Sequence, residues 1–448
     1  MKTKQSKSNS KSRTESIYEK IMNEEDARVC KAIDEKACKV VPGNFFLTII
    51  SYFFNKLADS VANTKVILPW IMETLNVPIF LIGFLVPIRE SGSLLPQLLI
   101  AAYVRKLPIR KYIWSLGALL QALTMIGIGM VAWNLQGLNA GIAIIVLIIL
   151  FSLARGLSSV AEKDVLGKTI PKSRRGTLSG YSGSLAGLLI IGLGVYFLLV
   201  GEKPFSPQNF GILLFIAGFF WIIAAIVYSR INEFEGETDG GGNAITVALK
   251  KISLLKTDEN FRLFVISRAL FLCSVLSAPF FVILAQQQSN SNNYLLGLFI
   301  LAGGLANFLS SVIWGKLSDV SSKKSMILGA TISTILGFLV FFLDTFFENI
   351  FSIIWLMPLI YFALTVGYQG IRIGRKTYLV DLAGGNKRTD YVAVSNTIIG
   401  IVLLFSGFIG ALSSIIGLNG IILLLSVFGV LGIVIASKLP EIQEEEMN

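Results

Sequence analysis

Apolar runs of about 20 residues follow one another along nearly the whole chain, and each is long enough to cross a bilayer as a helix. Of 448 residues, 54% are hydrophobic and 15% charged, against about 25% charged in soluble domains. A soluble fold would have to bury a dozen all-round apolar helices in one core. The chain therefore reads as an integral membrane protein. Its spans are helical, because lipid offers no partner to backbone N–H and C=O groups. The pattern predicts twelve: 45–70, 78–103, 112–133, 140–166, 177–200, 210–229, 261–287, 294–314, 326–345, 349–380, 390–412 and 418–437.

The net charge of +11 does not point to nucleic acid, because its placement follows the predicted loops. Thirteen basic residues sit in alternate short loops: Arg105, Lys106, Arg110 and Lys111, then Lys168, Lys172, Arg174 and Arg175, then Lys316, Lys323 and Lys324, then Lys387 and Arg388. The opposite loops hold one, Lys203. This asymmetry places the basic loops and both termini in the cytoplasm, in a multi-pass protein of the cytoplasmic (inner or plasma) membrane. The first 43 residues contain no apolar signal region. Cys30 and Cys38 fall in that tail and Cys273 in a span. With no histidine in the chain, they form no zinc pattern, and no metal or other cofactor is expected.

The chain is also one unit written twice. "NFFLTIIS" at 44 matches "NFRLFVIS" at 260, an offset of 216, and "LIGFL" at 81 matches "LLGLF" at 295, an offset of 214. "RKYIWSLGA" at 110 aligns with "KKSMILGAT" at 323, and "SRRGTLSGYSGSLAG" at 173 with "NKRTDYVAVSNTIIG" at 386, both at an offset of 213. The organisation read from this is a tail 1–43, a six-helix bundle 44–230, a linker 231–258, a second six-helix bundle 259–438 and an acidic tail 439–448. The linker opens acidic and Gly-rich, which suits a flexible cytoplasmic segment. It closes with "AITVALKKISLLK", whose apolar residues at helical spacing suit the membrane surface. The first tail reads as a short charged helix.

Two six-span halves around a cytoplasmic loop resemble the major facilitator superfamily of transporters. The specific match is "GKLSDVSSKK" at 315–324, which is similar to the family's loop motif at Gly315, Asp319, Lys323 and Lys324. The resemblance covers residues 44–438. It implies an all-α membrane protein of twelve transmembrane helices, a cytoplasmic gate at that loop, and a central cavity lined by the first, fourth, seventh and tenth spans. In the first half, "AYVRKLPIRK" keeps Arg110 and Lys111, but Lys106 stands for the Asp and Ala102 for the Gly. Asp390 at the start of the eleventh span is then the expected partner of Lys106.

Charges inside the spans point to function, because such groups face the interior and pair. Lys56 and Asp59 lie about thirteen and ten residues from the outer end of the first span, and Arg89 and Glu90 about ten and eleven from that of the second. At about 1.5 Å per residue all four share one depth. The expected pairs are Asp59–Arg89 and Lys56–Glu90, either holding helices together or coupling transport to protons through a carboxylate. The cavity-lining spans add Arg155 and Glu162, then Arg268, then Gln369 and Arg372. Asn307 on the eighth extends that set. Arg155, Arg268 and Arg372 leave uncompensated positive charge, and a guanidinium fork suits a carboxylate or phosphate. The expected function is secondary active transport of a small, anionic solute by alternating access, with protons or another coupling ion, in a monomer within the bilayer. The alternatives are a proton-driven exporter of amphipathic compounds and a non-transporting sensor or scaffold. No nucleophile–base pair suggests an enzyme.

Overall fold

The computed structural model of the protein describes residues 39–95, 100, 103–104, 106–171, 175–199, 206–236, 238, 252–288, 293–347, 350–382 and 388–442. Among these there are helices and no strand. The expected helix of the first tail, Cys30, Cys38 and most of the "AITVALKKISLLK" segment lie outside the described residues.

In the first half, α1 (Val41–Val61), α2 (Ile67–Thr74), α3 (Ile79–Ile82) and α4 (Leu85–Leu94) occupy the two first expected spans. They are followed by α5 (Lys111–Asn134), α6 (Gly137–Thr169), α7 (Arg175–Leu199) and α8 (Pro207–Ser229). The second half contains α9 (Leu254–Thr257), α10 (Glu259–Leu270), α11 (Cys273–Gln288), α12 (Asn293–Val320), α13 (Ser322–Phe346), α14 (Leu356–Leu382), α15 (Arg388–Ala411) and α16 (Ser413–Ser437). Ten helices among the described residues are long and apolar enough to cross a membrane, with α10 and α11 joined as one of them.

The first two expected spans are outside that ten, and proline chemistry explains their interruption. Pro69 has no N–H, and its ring crowds the carbonyl four residues back. The helix stops at Val61 and resumes at Ile67. In the gap, the Asn63 side chain accepts from Lys65 N at 2.8 Å and its carbonyl accepts from Leu68 N at 2.9 Å. Pro87 likewise leaves the Gly83 carbonyl without a helical donor, and the chain turns at Gly83–Phe84 between α3 and α4. Irregular backbone at membrane depth is tolerated where protein buries it or a cavity wets it.

The halves meet at two glycine crossings. A Cβ on Gly83 would lie 2.6 Å from Gly410 Cα, and one on Gly410 would lie 2.7 Å from Gly83 Cα. A Cβ on Gly297 would lie 2.8 Å from the Gly194 carbonyl oxygen. Gly83 and Gly297 are equivalent in the duplication, as are α7 and α15, in which Gly194 corresponds to Gly407, one turn before Gly410. The two crossings are thus one contact made twice, α3/α4 on α15 and α7 on α12. Small residues are what let membrane helices approach this closely.

Each half is also clasped where its last helix ends, again in duplicate. "SRINE" at 229–233 follows α8 and "SKLPE" at 437–441 follows α16. Lys111 donates to the Ile231 carbonyl at 2.7 Å, and Lys323 to the Leu439 carbonyl at 2.6 Å. The Glu233 carboxylate accepts from the backbone N–H groups of Arg110 and Lys111 at the start of α5 and from Lys168 at 3.1 Å. Glu441 accepts from Ser321, the N-cap of α13. Glu233 thereby satisfies orphan helix-start donors, and both carboxylates lie at the positive end of a helix dipole. Residues 231–236 of the linker are therefore held against the first half. Because the Glu233 side chain is fully buried, Glu233→Ala should strand those donors. Its expected effect is a loss of about 2–3 kcal/mol of stability, read as lower thermal stability of the purified protein, with Glu233→Gln milder.

Candidate functional site

The break between α1 and α2 opens onto a polar centre. Asp59, one turn before the break, accepts at one oxygen, Oδ1, from two guanidiniums: Arg89 of α4 at 2.5 Å and Arg155 of α6 at 2.6 Å. Arg89 also donates to Thr64 in the break at 3.2 Å. Charge-assisted hydrogen bonds of this kind are the strong ones, and here they tie three helices to one carboxylate. The Asp59–Arg89 pair expected from depth is present, and Arg155 joins it.

The Lys56–Glu90 pair expected beside it is not formed. Lys56 donates to Ser182 of α7 at 2.9 Å, and its nearest acidic influence is Glu162 of α6. Glu162 sits with Tyr52 and Trp114, toward the clasped end of the first half. The reason is angular. Arg89 and Glu90 are consecutive, so they point about 100° apart on one helix, and only Arg89 can face α1. Glu90 instead has Arg155 and Arg89 as its strongest charged neighbours, followed by Lys65 and Arg375. It makes no ion pair within 4 Å and no side-chain hydrogen bond among the described residues.

Lys65 was not legible as a site residue, because a continuous first span would have put it near the outer end. The break turns it inward, and its ammonium lies 3.9 Å from the centroid of the Tyr368 ring on α14, a cation–π contact between the halves. Around Tyr368 gather Lys65, Arg375, Glu90 and Arg372. Arg268 of α10 is buried; it donates to Ser395 at 2.6 Å and to Asn396 at 3.0 Å on α15, while its Nε has no partner. Gln369 is buried and donates to Asn307 of α12. Asn307 also donates to the Gly303 carbonyl at 2.8 Å. Of the residues expected to bind solute, Arg155 thus belongs to the Asp59 group. Arg268 and Arg372 share the α14 side of the centre, and Gln369 with Asn307 forms a neutral pair beside it.

At one end of the molecule the halves are sealed. Gln286 of α11 donates to the Trp70 carbonyl and to Thr74 of α2 at 3.3 and 3.4 Å, and Gln287 to Glu73 at 2.8 Å. Every residue from Cys273 to Gln286 is buried, Cys273 as a free thiol.

The Major Facilitator Superfamily model matches residues 45–407. The chain belongs to the Major Facilitator Superfamily. This superfamily protein is accordingly a multi-pass membrane protein and a secondary transporter by family, not an enzyme. Solved structures agree in fold. A POT family transporter in complex with 5-aminolevulinic acid has a TM-score of 0.67 at 11% identity, over 88% of this chain and 94% of that one. The xylose transporter XylE from E. coli, in an inward open conformation, has 0.64 at 13%, over 90% and 99%. The nucleoside transporter NupG has 0.66 at 11%, over 88% and 98%. A search of curated protein sequences gave no significant match.

The superfamily loop residues of the second half are spread out in this conformation. A Cβ on Gly315 would meet nothing within 4 Å, so this glycine marks no close helix approach. Asp319 is exposed and reaches no side-chain partner among the described residues. Lys323 belongs to the clasp after α16, and Lys324 is exposed at the start of α13. In the first half Lys106 is exposed, and the side chain of its expected partner Asp390 lies outside the described residues.

Proposed function

We propose that this superfamily protein carries a small anionic solute across the cytoplasmic membrane by alternating access, as a monomer of twelve spans with both termini in the cytoplasm. On this reading α1–α2 and α3–α4 are the two spans beyond the ten. The observation that carries the anion is the α14 side of the centre, where Arg372, Arg375 and Lys376 have neither ion pair nor side-chain hydrogen bond among the described residues. The sealed α2–α11 end is then the outer face. The unengaged Asp319 supports a cytoplasmic end that is open. Broken helices beside a midplane site are the arrangement transporters use to present backbone and charge to a solute.

The structure favours Glu90 over Asp59 as the coupling carboxylate. Asp59 is held by two guanidiniums, whereas Glu90 has no ion pair within 4 Å among the described residues and lies within the influence of Arg155, Arg89, Lys65 and Arg375. The other elements packed against α4 are α11, which has no charged residue, and α15, whose only charges are Arg388 and Asp390 at its start. A proton on Glu90 removes one negative charge from the cavity and so strengthens anion binding. Linkage then requires the bound anion to strengthen proton binding by the same factor. Glu90→Gln should bind anion at least as tightly as wild type with no pH dependence, and exchange it without driving uphill uptake. Uphill uptake in proteoliposomes with an unchanged pH profile would remove Glu90 from this role.

A further inference from the structure

Resting on the anion reading, we infer that the solute carries two negative charges, as a dicarboxylate or a phosphate monoester does, and that it docks against the second half through Arg268 and Arg375. The two sides of the centre differ in how their charges are compensated. On the first-half side, Arg89 and Arg155 share Asp59, and Lys56 has Glu162 as its acidic neighbour. On the α14 side, Lys65, Arg268, Arg372, Arg375 and Lys376 have one carboxylate among them, Glu90.

Tyr368, Arg372, Arg375 and Lys376 fall at i, i+4, i+7 and i+8, one stripe along α14. Arg372 and Lys376 are exposed, Arg375 is half-buried and Arg268 is buried, so positive charge runs from an accessible mouth to an interior anchor. Such a cationic lane concentrates anions and guides them inward.

Arg268 is the anchor because it cannot snorkel out. Its partners Ser395 and Asn396 are neutral: they fix the orientation of the guanidinium and leave its charge uncompensated. Arg375 is its strongest charged neighbour, and like-charged. Two neighbouring guanidiniums with no carboxylate paired to either among the described residues repel each other until an anion bridges them. A monoanion leaves this side strongly positive. A dianion offers one charge to each guanidinium, and the planar forks bind paired oxygens of carboxylate or phosphate. The Tyr368 ring, covered by Lys65, closes the lane toward the first half.

The test is a thermal-shift titration of the purified full chain at matched ionic strength and neutral to slightly alkaline pH. The probes are acetate, succinate, glycerol 3-phosphate, choline and glucose. Succinate or glycerol 3-phosphate should stabilise the protein with an apparent Kd at least about tenfold below that of acetate, and Arg375→Gln should abolish that preference. Arg375 has no side-chain partner among the described residues, so this variant is expected to fold. Arg268→Lys, which keeps charge and loses the fork, should weaken the dianion by a similar factor. Equal binding of acetate and the dianions would overturn the two-charge inference and leave the anion reading standing. Stabilisation by choline or glucose alone would overturn both. No shift with either dianion overturns the inference.

Discussion

Asp59→Asn is expected to abolish transport and to lower thermal stability more than any other single change at the centre. The substitution keeps the size of the side chain and removes the one charge that Arg89 and Arg155 share at 2.5 and 2.6 Å. Breaking a fully buried ion pair from one side costs about 3–5 kcal/mol, because the remaining charge is left without compensation, and the 28% exposure of Asp59 and 37% of Arg155 place this group below that figure. Here two guanidiniums are left, and α4 and α6 lose their common tie to α1. Asp59→Asn combined with Arg89→Gln strands one cation fewer and should melt between wild type and Asp59→Asn. Transport should stay absent in the double variant, because Arg155 has lost its orienting partner. The check is a melting curve and a flux assay on the three proteins. A double variant no more stable than Asp59→Asn would show that charge compensation is not what Asp59 provides.

Gly83→Leu is expected to abolish transport for a different reason. Gly83 has helical backbone angles, φ −59° and ψ −23°, so a larger residue meets no conformational objection there. The objection is steric: the new Cβ would lie 2.6 Å from Gly410 Cα, a backbone atom that cannot swing aside. Overpacking costs about 1–3 kcal/mol when neighbours shift. The least constrained shift is separation of α3/α4 from α15 near the sealed end. Loss of flux should therefore come with faster labelling, by an impermeant maleimide, of a cysteine introduced at Thr74. Gly297→Leu, the equivalent position against the Gly194 carbonyl, should do the same. Normal flux and unchanged labelling in both variants would show that the glycine crossings do not set the conformation.

Much of this was legible in the sequence because membrane helices write their length and their charges plainly. The ten long apolar helices follow the expected spans, and the "LIGFL"/"LLGLF" match already held Gly83 and Gly297 in register. Depth arithmetic found Asp59 and Arg89, since residues at equal height on neighbouring helices can meet. It failed for Lys56 and Glu90 because height says nothing about direction around a helix. Lys65 was missed because Pro69 and Asn63 were read through as part of one span; a proline four residues after a lysine is the signal that could have exposed the break. Glu233 and Glu441 were read as linker and tail, although "SRINE" and "SKLPE" repeat at an offset of 208. That match is short, and its meaning lies in contacts with α5 and α13 that no spacing along the chain discloses.

The central claim is that the two halves move an anion past the Asp59 centre and the α14 arginines. Counterflow in proteoliposomes tests it most directly. Vesicles are preloaded with whichever of acetate, succinate, glycerol 3-phosphate, choline and glucose stabilises the protein most, and the same compound is added outside in labelled form. The account predicts that this probe is an anion and that label accumulates transiently inside with wild type. It predicts no accumulation with Asp59→Asn or Arg268→Gln. Stabilisation without counterflow in wild type, or counterflow confined to choline or glucose, would contradict it.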